Sequence, residues 1–178
     1  MATLQWHKDL ELDVAPMDAT HREFVDLLAQ VEAAADADLL PLWAQLLAHT
    51  EAHFGSEDQW MLDTGFAVGN CHATQHKVVL DIMRQAQQRG DSGDLGMLRG
   101  MLPELASWFN YHAQTMDAAL AQHMQSVGYD PENGLLAVPQ ALPVTAISGC
   151  GGACSQPEKY TPVPAPALAP APLAAAHG

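Results

Sequence analysis

Apolar residues recur every three and four positions through most of the first 127 residues, with few β-branched runs between them, which is the period of helices. His21, Phe24, Val25, Leu28 and Val31 mark one face of a first helix, expected from about Asp18, as its N-cap, to Ala35. A second is expected from near Asp38, with Pro41 in its first turn, where a missing N–H costs nothing. It carries Leu39, Trp43, Leu46, His53, Glu57 and Met61 before Gly65 stops it. A third should span about Asn70 to Gln88, with His72, His76, Val79 and Met83 on one stripe, and 90–94 reads as a loop. Gly96 and Gly100 weaken the start of the fourth, and Pro103 either begins or kinks its main segment. From there Leu105, Trp108, Phe109, His112, Met116 and Leu120 keep the stripe to about Val127. Four amphipathic segments with short connections predict an all-α, antiparallel four-helix bundle preceded by an N-terminal arm.

The composition changes near residue 137. Nine of the twelve prolines lie from Pro131 onward, and 162–170 alternates Pro with small apolar residues. Repeated proline removes backbone donors and blocks helix, so the expected division is a bundle over 1–130 and a flexible, disordered Pro/Ala/Gly-rich tail over 131–178. The chain has 178 residues, long enough for one domain with a real core plus spare chain.

Charge narrows the function classes. With 7 Lys+Arg against 21 Asp+Glu, the formal net charge is −14, nearly all of it in the bundle. That argues against nucleic acid or an anionic membrane as a partner, since both need basic patches. No apolar run approaches the roughly 18 residues a membrane span needs, and the N-terminus lacks a secretory pattern, so a cytoplasmic location is expected. Histidine is the unusual count: nine, more than Lys and Arg together.

Polar residues intrude on the apolar stripe of every expected helix: His21; His53 and Glu57; His72 and His76; His112 and Asp117. A buried polar group left unpaired costs on the order of 1–3 kcal/mol, and a partly satisfied network of seven would make a poor core. Metal chelation satisfies all seven together. Residues at i and i+4 share a face, so His53/Glu57 and His72/His76 can each grip one centre. His112 and Asp117, five apart, would stand about 140° apart on a regular α-helix and reach two adjacent ions. Seven protein groups exceed the needs of one ion; with two bridging carboxylates and a hydroxide they leave one position open on a six-coordinate pair. Imidazole with carboxylate suits iron, while zinc and manganese stay open on ligand type.

These residues resemble the bacterial hemerythrins, non-haem di-iron proteins built on a four-helix bundle that binds dioxygen. The resemblance runs through Trp6 in the arm, Asp18-x-x-His21, His53-Phe54-x-x-Glu57-Asp58-x-x-Met61, Gly65-Phe66, His72-x-x-x-His76, and Trp108-Phe109-x-x-His112-x-x-x-x-Asp117. It covers about residues 6–124. It implies two iron ions: one held by His72, His76 and His112, the other by His21 and His53, with Glu57 and Asp117 bridging. It also implies reversible dioxygen binding at the open position of the two-His iron, for storage, delivery or sensing. Phe24, Phe54, Trp108 and Phe109 would keep such a pocket dry.

Alternatives stay open beside that reading. The same site suits a di-iron redox enzyme of the peroxidase or nitric-oxide-handling kind, or a sensor that signals to a protein partner through the tail. A ferritin-like oxidase is disfavoured, because no Glu-x-x-His occurs in the chain. His49, where the family often has Tyr, reads as a residue behind the ligands or facing solvent. His7, His123 and His177 read as surface or tail residues. Cys71 reads as a small apolar filler. Cys150 and Cys154 form a C-x-x-x-C in a Gly-rich stretch, expected as reduced thiols by default and hypothesised to respond to oxidants.

Overall fold

The computed structural model describes residues 3–149. After a 3-10 turn at Lys8–Leu10, helix α1 spans Ala15–Ala33, α2 Asp36–Asp63, α3 Cys71–Asp91 and α4 Leu95–His112. A π-helical turn at Ala113–Asp117 carries α4 without a break into α5, Ala118–Val127. The α4–π–α5 rod is the fourth helix of an antiparallel bundle in which α1 packs on α2, α2 on α3, α3 on α4, and α4 back on α1. Among the described residues, no helix is long and apolar enough to cross a membrane.

The helix boundaries differ from the expected ones where side chains found other work. Asp18 is not the N-cap of α1; that position is Val14, with Pro16 in the first turn. The Asp18 carboxylate instead turns back and accepts from the Leu12 N–H at 2.7 Å, anchoring the arm. Helix α2 starts at Asp36, which puts Pro41 inside it rather than in its first turn. Helix α3 has a built cap: the Asn70 side chain accepts from the N–H groups of His72 and Ala73 at 2.9 and 3.1 Å. It also continues through Gly90 to Asp91, leaving a shorter connection than expected, and α4 runs from Leu95 straight through Pro103.

The apolar interior forms two clusters. One gathers Leu10, Phe24, Leu28, Trp43, Leu46, Phe54, Met83, Leu98, Leu105 and Phe109; the other gathers Val14, Met17, Trp60, Met61, Phe66, Leu120, Met124 and Val127. On α1, α2 and the fourth helix, His21, Glu57 and Asp117 lie in sequence between the members of one cluster and those of the other, and His53 and His112 sit at the edge of the first. The core is therefore interrupted by a polar layer.

The segment from residue 131 to 149, expected to be flexible, is packed on the bundle. Strands β1 (Tyr129–Asp130) and β2 (Leu135–Leu136) form a small antiparallel hairpin. Beyond a 3-10 turn at Pro139–Ala141, the chain crosses the α2–α3 connection, where Phe66 and Ile147 make a parallel bridge. Ile147 N–H donates to the Gly65 carbonyl at 3.0 Å, Ala67 N–H to the Ile147 carbonyl at 2.9 Å, and Cys71 N–H to the Ser148 carbonyl at 3.4 Å. Gly65 has φ +96°, and a Cβ there would lie 2.7 Å from Pro143 Cγ, so the crossing requires glycine. The Pro/Ala repeat, His177, Cys150 and Cys154 lie outside the described residues.

Candidate metal centre

All seven expected donors meet in the polar layer, one or two from each helix. The side chains of His21, Glu57, His72 and Asp117 are fully buried, and those of His53, His76 and His112 nearly so. The periodicity explains why: each donor occupies a core position of its helix, so folding the apolar stripes inward carries the polar groups with them. Donor atoms of Glu57, His72, His76, His112 and Asp117 form one compact group, and those of His21, His53 and Glu57 a second, with Glu57 common to both.

Three imidazoles converge on the first group. His112 Nε2 lies 3.0 Å from His72 Nε2 and 3.2 Å from His76 Nε2. A neutral imidazole has one N–H and one lone pair, so three Nε2 atoms meeting this way cannot all be satisfied by one another. Donors in adjacent positions about 2.1 Å from a common ion stand about 3 Å apart, which is the spacing found. The carboxylates close the set. Asp117 Oδ1 lies 2.9 Å from His72 Nε2 and 3.1 Å from His112 Nε2, while Glu57 Oε2 lies 3.2 Å from His76 Nε2. On the other side, Glu57 Oε1 lies 2.9 Å from His53 Nε2, and Asp117 Oδ2 lies 3.3 Å from His21 Nε2. Each carboxylate thus turns one oxygen to each group. Glu57 Oε2, both Asp117 oxygens and both ring nitrogens of His21 are buried without a well-formed hydrogen bond. Orphaned donors of these types fit a bound divalent metal.

The fourth helix reaches this geometry by a device that the spacing did not predict. On a regular α-helix Asp117 would point well away from His112, but the π-helical turn occupies the interval between them and brings both side chains to one group. Asp117 therefore faces His112 through Oδ1 and, on the other side, His21 through Oδ2.

Charge and burial oppose each other throughout. Burial alone would raise the carboxyls of Glu57 and Asp117, yet the surrounding imidazoles hold both well below the usual carboxylate range. Burial likewise opposes charge on His21, but Asp117 and Glu57 carry it up to about 10, and His76 is raised by Asp58 and Glu57. Burial keeps His112 down, with His72 and His76 adding to the effect.

The groups behind the donors include residues that sequence reasoning quoted without a role, or missed. Asp58 Oδ1 lies 2.9 Å from His76 Nδ1, fixing the ring by its far nitrogen. Gln75 Oε1 accepts from Trp108 Nε1 at 3.3 Å and lies 3.4 Å from His112 Nδ1. Gln75 offered only one signal, its place one residue before His76 on a helix. His49 stands behind His53, with Nε2 3.1 Å from the Thr20 carbonyl. His123, expected at the surface, is half-buried: it lies 2.8 Å from the Thr64 carbonyl and packs edge-on against Phe66. The four aromatics expected around the pocket are there. Phe24 stacks on Phe109 at 4.2 Å, Phe109 meets His21 edge-on, Phe54 stacks on His76 at 4.0 Å, and Trp108 stacks on His112 at 4.4 Å.

Cys71 is also corrected. It is half-buried at the start of α3 and disulfide-bonded, not an apolar filler.

The chain is similar in sequence to known proteins. Residues 12–123 match the hemerythrin HHE cation binding domain. A bacteriohemerythrin of Ralstonia nicotianae is 35% identical over 130 residues, covering 73% of this chain and 95% of its own length. Bacteriohemerythrins of Pseudomonas aeruginosa and Stenotrophomonas maltophilia are 26% and 24% identical, covering 66% and 71% of this chain and 79% and 84% of their own. No solved structure matches the chain significantly. A family model that matches residues 12–123 and a relative 35% identical over 73% of the chain lead to one conclusion: the chain belongs to the bacterial hemerythrin family.

Proposed function

We propose that the chain binds dioxygen reversibly at a non-haem di-iron centre, as a carrier, store or sensor rather than an enzyme. In this reading His72, His76 and His112 hold one iron, His21 and His53 hold the other, and Glu57 and Asp117 bridge them. The observation that carries it is the unequal division of donors around two shared carboxylates. One group offers three imidazoles at mutual distances near 3 Å; the other offers two. The two-histidine side then has the open position, and its donors are buried.

A ferrous pair bound there would supply the two electrons that reversible dioxygen binding requires. The chain's own residues do the rest. His76 is held in orientation by Asp58 and His112 by stacking on Trp108, so the three-histidine side is rigid. Phe24 and Phe109 form an apolar wall against His21, which excludes water and bulk protons from the open side. A donor set richer in imidazole than in carboxylate, and without Glu-x-x-His, supports binding over oxygenase chemistry.

The test is anaerobic reconstitution with ferrous iron, followed by metal counting and visible spectra before air, after air and after degassing. Two irons per chain and a charge-transfer band that appears with oxygen and fades on degassing are expected. Prompt irreversible oxidation without such a band would favour a redox enzyme, and no retained iron would refute the metal assignment.

A further inference from the structure

We infer that His49 is a positioning residue for the two-histidine side of the centre: it clamps α1 to α2 at the level of His21 and His53, and so sets the affinity for the ion held there. The inference rests on the two-ion reading above. The two sides of the donor layer are supported unequally. On the three-imidazole side, Asp58 stands at Nδ1 of His76 and Gln75 at Nδ1 of His112. On the other side, Nδ1 of His21 and Nδ1 of His53 are buried with no hydrogen-bond partner among the described residues. A ring held by its far nitrogen keeps its donor nitrogen aimed, whereas a ring without such a partner depends on its helix for its position.

His49 is placed to fix those two helices. It stands one turn before His53 on α2, with its ring 6.3 Å from that of His53. Its Nε2 lies 3.1 Å from the carbonyl of Thr20, the residue before His21 on α1. A carbonyl only accepts, so Nε2 carries the proton and donates it across the seam between the helices. One hydrogen bond thus joins the turn of α1 that carries His21 to the turn of α2 that leads into His53, and the rings of these two donors stand 5.0 Å apart. His49 itself belongs to neither donor group. Its side chain is 15% exposed against 1% for that of His53, and its Nδ1 lies 3.7 Å from the exposed carboxylate of Glu23. It therefore acts from the rim of the site, through the backbone. Without the bond, His21 and His53 can drift apart. The three-imidazole group is spared, because α1 contributes none of its donors: His72 and His76 come from α3, His112 from α4, Glu57 from α2 and Asp117 from the π-helical turn.

The test titrates the full, metal-free chain with zinc ion against a chelating competitor, with circular dichroism as the folding control. Uptake of two ions is expected, the tighter at the three-imidazole group. His49→Leu, which keeps the bulk and removes the donor, should weaken uptake of the second ion about tenfold and of the first by less than about twofold. Tenfold is equivalent to about 1.4 kcal/mol, near the top of the range for one hydrogen bond. His49→Gln puts an amide N–H where Nε2 stood and should restore the second ion. His49→Asn puts it where Nδ1 stood, short of the Thr20 carbonyl, and should behave as His49→Leu does. Asp58→Ala, which acts on His76, should weaken the first ion instead. A merely structural loss would lower both ions together and would not separate the two amides. Equal weakening of both ions, an unmoved second ion, or the same result from His49→Gln and His49→Asn would each overturn the clamp and leave the two-ion reading standing. Fewer than two ions bound by the unsubstituted chain would overturn that reading, and the clamp with it.

Discussion

Asp58 Oδ1 lies 2.9 Å from Nδ1 of His76, while Nε2 of the same ring points into the donor layer 3.2 Å from Glu57 Oε2. One carboxylate thus orients the ring from outside the site and another meets it inside. Asp58 is exposed enough to lose without unfolding the bundle, so its removal tests orientation alone. Asp58→Ala is expected to keep the helical content and to weaken metal retention by about 10–100-fold. Competition with a chelator, with circular dichroism as the control, checks it.

The π-helical turn between His112 and Asp117 makes a second prediction. A π turn is equivalent to one residue inserted in an α-helix, so deleting exposed Gln114 should restore a regular ladder while α4 and α5 keep their buried faces. Thermal stability of the metal-free protein should fall by less than about 1 kcal/mol, as for other surface changes. Metal retention should drop sharply, because Asp117 is no longer placed where it serves both groups. Preserved metal binding in the deletion variant would show that the turn is incidental.

Much of the bundle was legible because its apolar stripes are long and regular, and the donors were legible because they break those stripes. The misses have local causes. Asp18 carries the residue type of an N-cap, but its carboxylate goes to the Leu12 N–H of the arm, a contact set by tertiary packing. The π turn leaves no mark in the sequence: five residues separate His112 from Asp117 whether the helix is regular or not. The 131–149 segment is proline-rich and reads as tail. Much of what holds it is backbone hydrogen bonding, from 137–138 to the end of α5 and from 147–148 to the α2–α3 connection and the start of α3, to which side-chain pattern is blind.

Protons and metal compete for the same atoms, which fixes a pH dependence. His21 in the metal-free fold is carried up to about 10, despite burial, by Asp117 and Glu57. Its contribution to stability is fully present below its unfolded value of about 6.5 and is lost as pH rises from there to about 10. Glu57 and Asp117, held low, contribute above the ordinary carboxylate range near 4, and that contribution is lost as pH falls through their folded values. His112, which burial keeps down, works against the fold on the acid side. Urea melts of the metal-free chain are therefore expected to show greatest stability near pH 5–6 and a decline toward pH 9.

Metal loading should show the matching signature. An ion must displace the His21 proton, so titration with ferrous or zinc ion in weak buffer at pH 7.5 is expected to release protons, with affinity rising with pH. Loading without proton release would mean that His21 is not a ligand.

Gly65 offers a test of the crossing segment. With φ +96° and Pro143 Cγ 2.7 Å from where a Cβ would sit, Gly65→Ala should cost about 1–3 kcal/mol and loosen the 142–149 segment. Faster hydrogen exchange at Ala67 and Ile147, with the ligand helices unchanged, is the expected pattern.

The polar layer bears on how the molecule comes apart. Seven donors form a complete cross-section of the bundle, with one apolar cluster on either side of it. At that level the four helices meet through imidazole–carboxylate contacts and the rings packed on them, and an ion bound there would tie all four together. Each half carries its own core, so an ion in the layer would be expected to couple the two and sharpen the melting of the bundle.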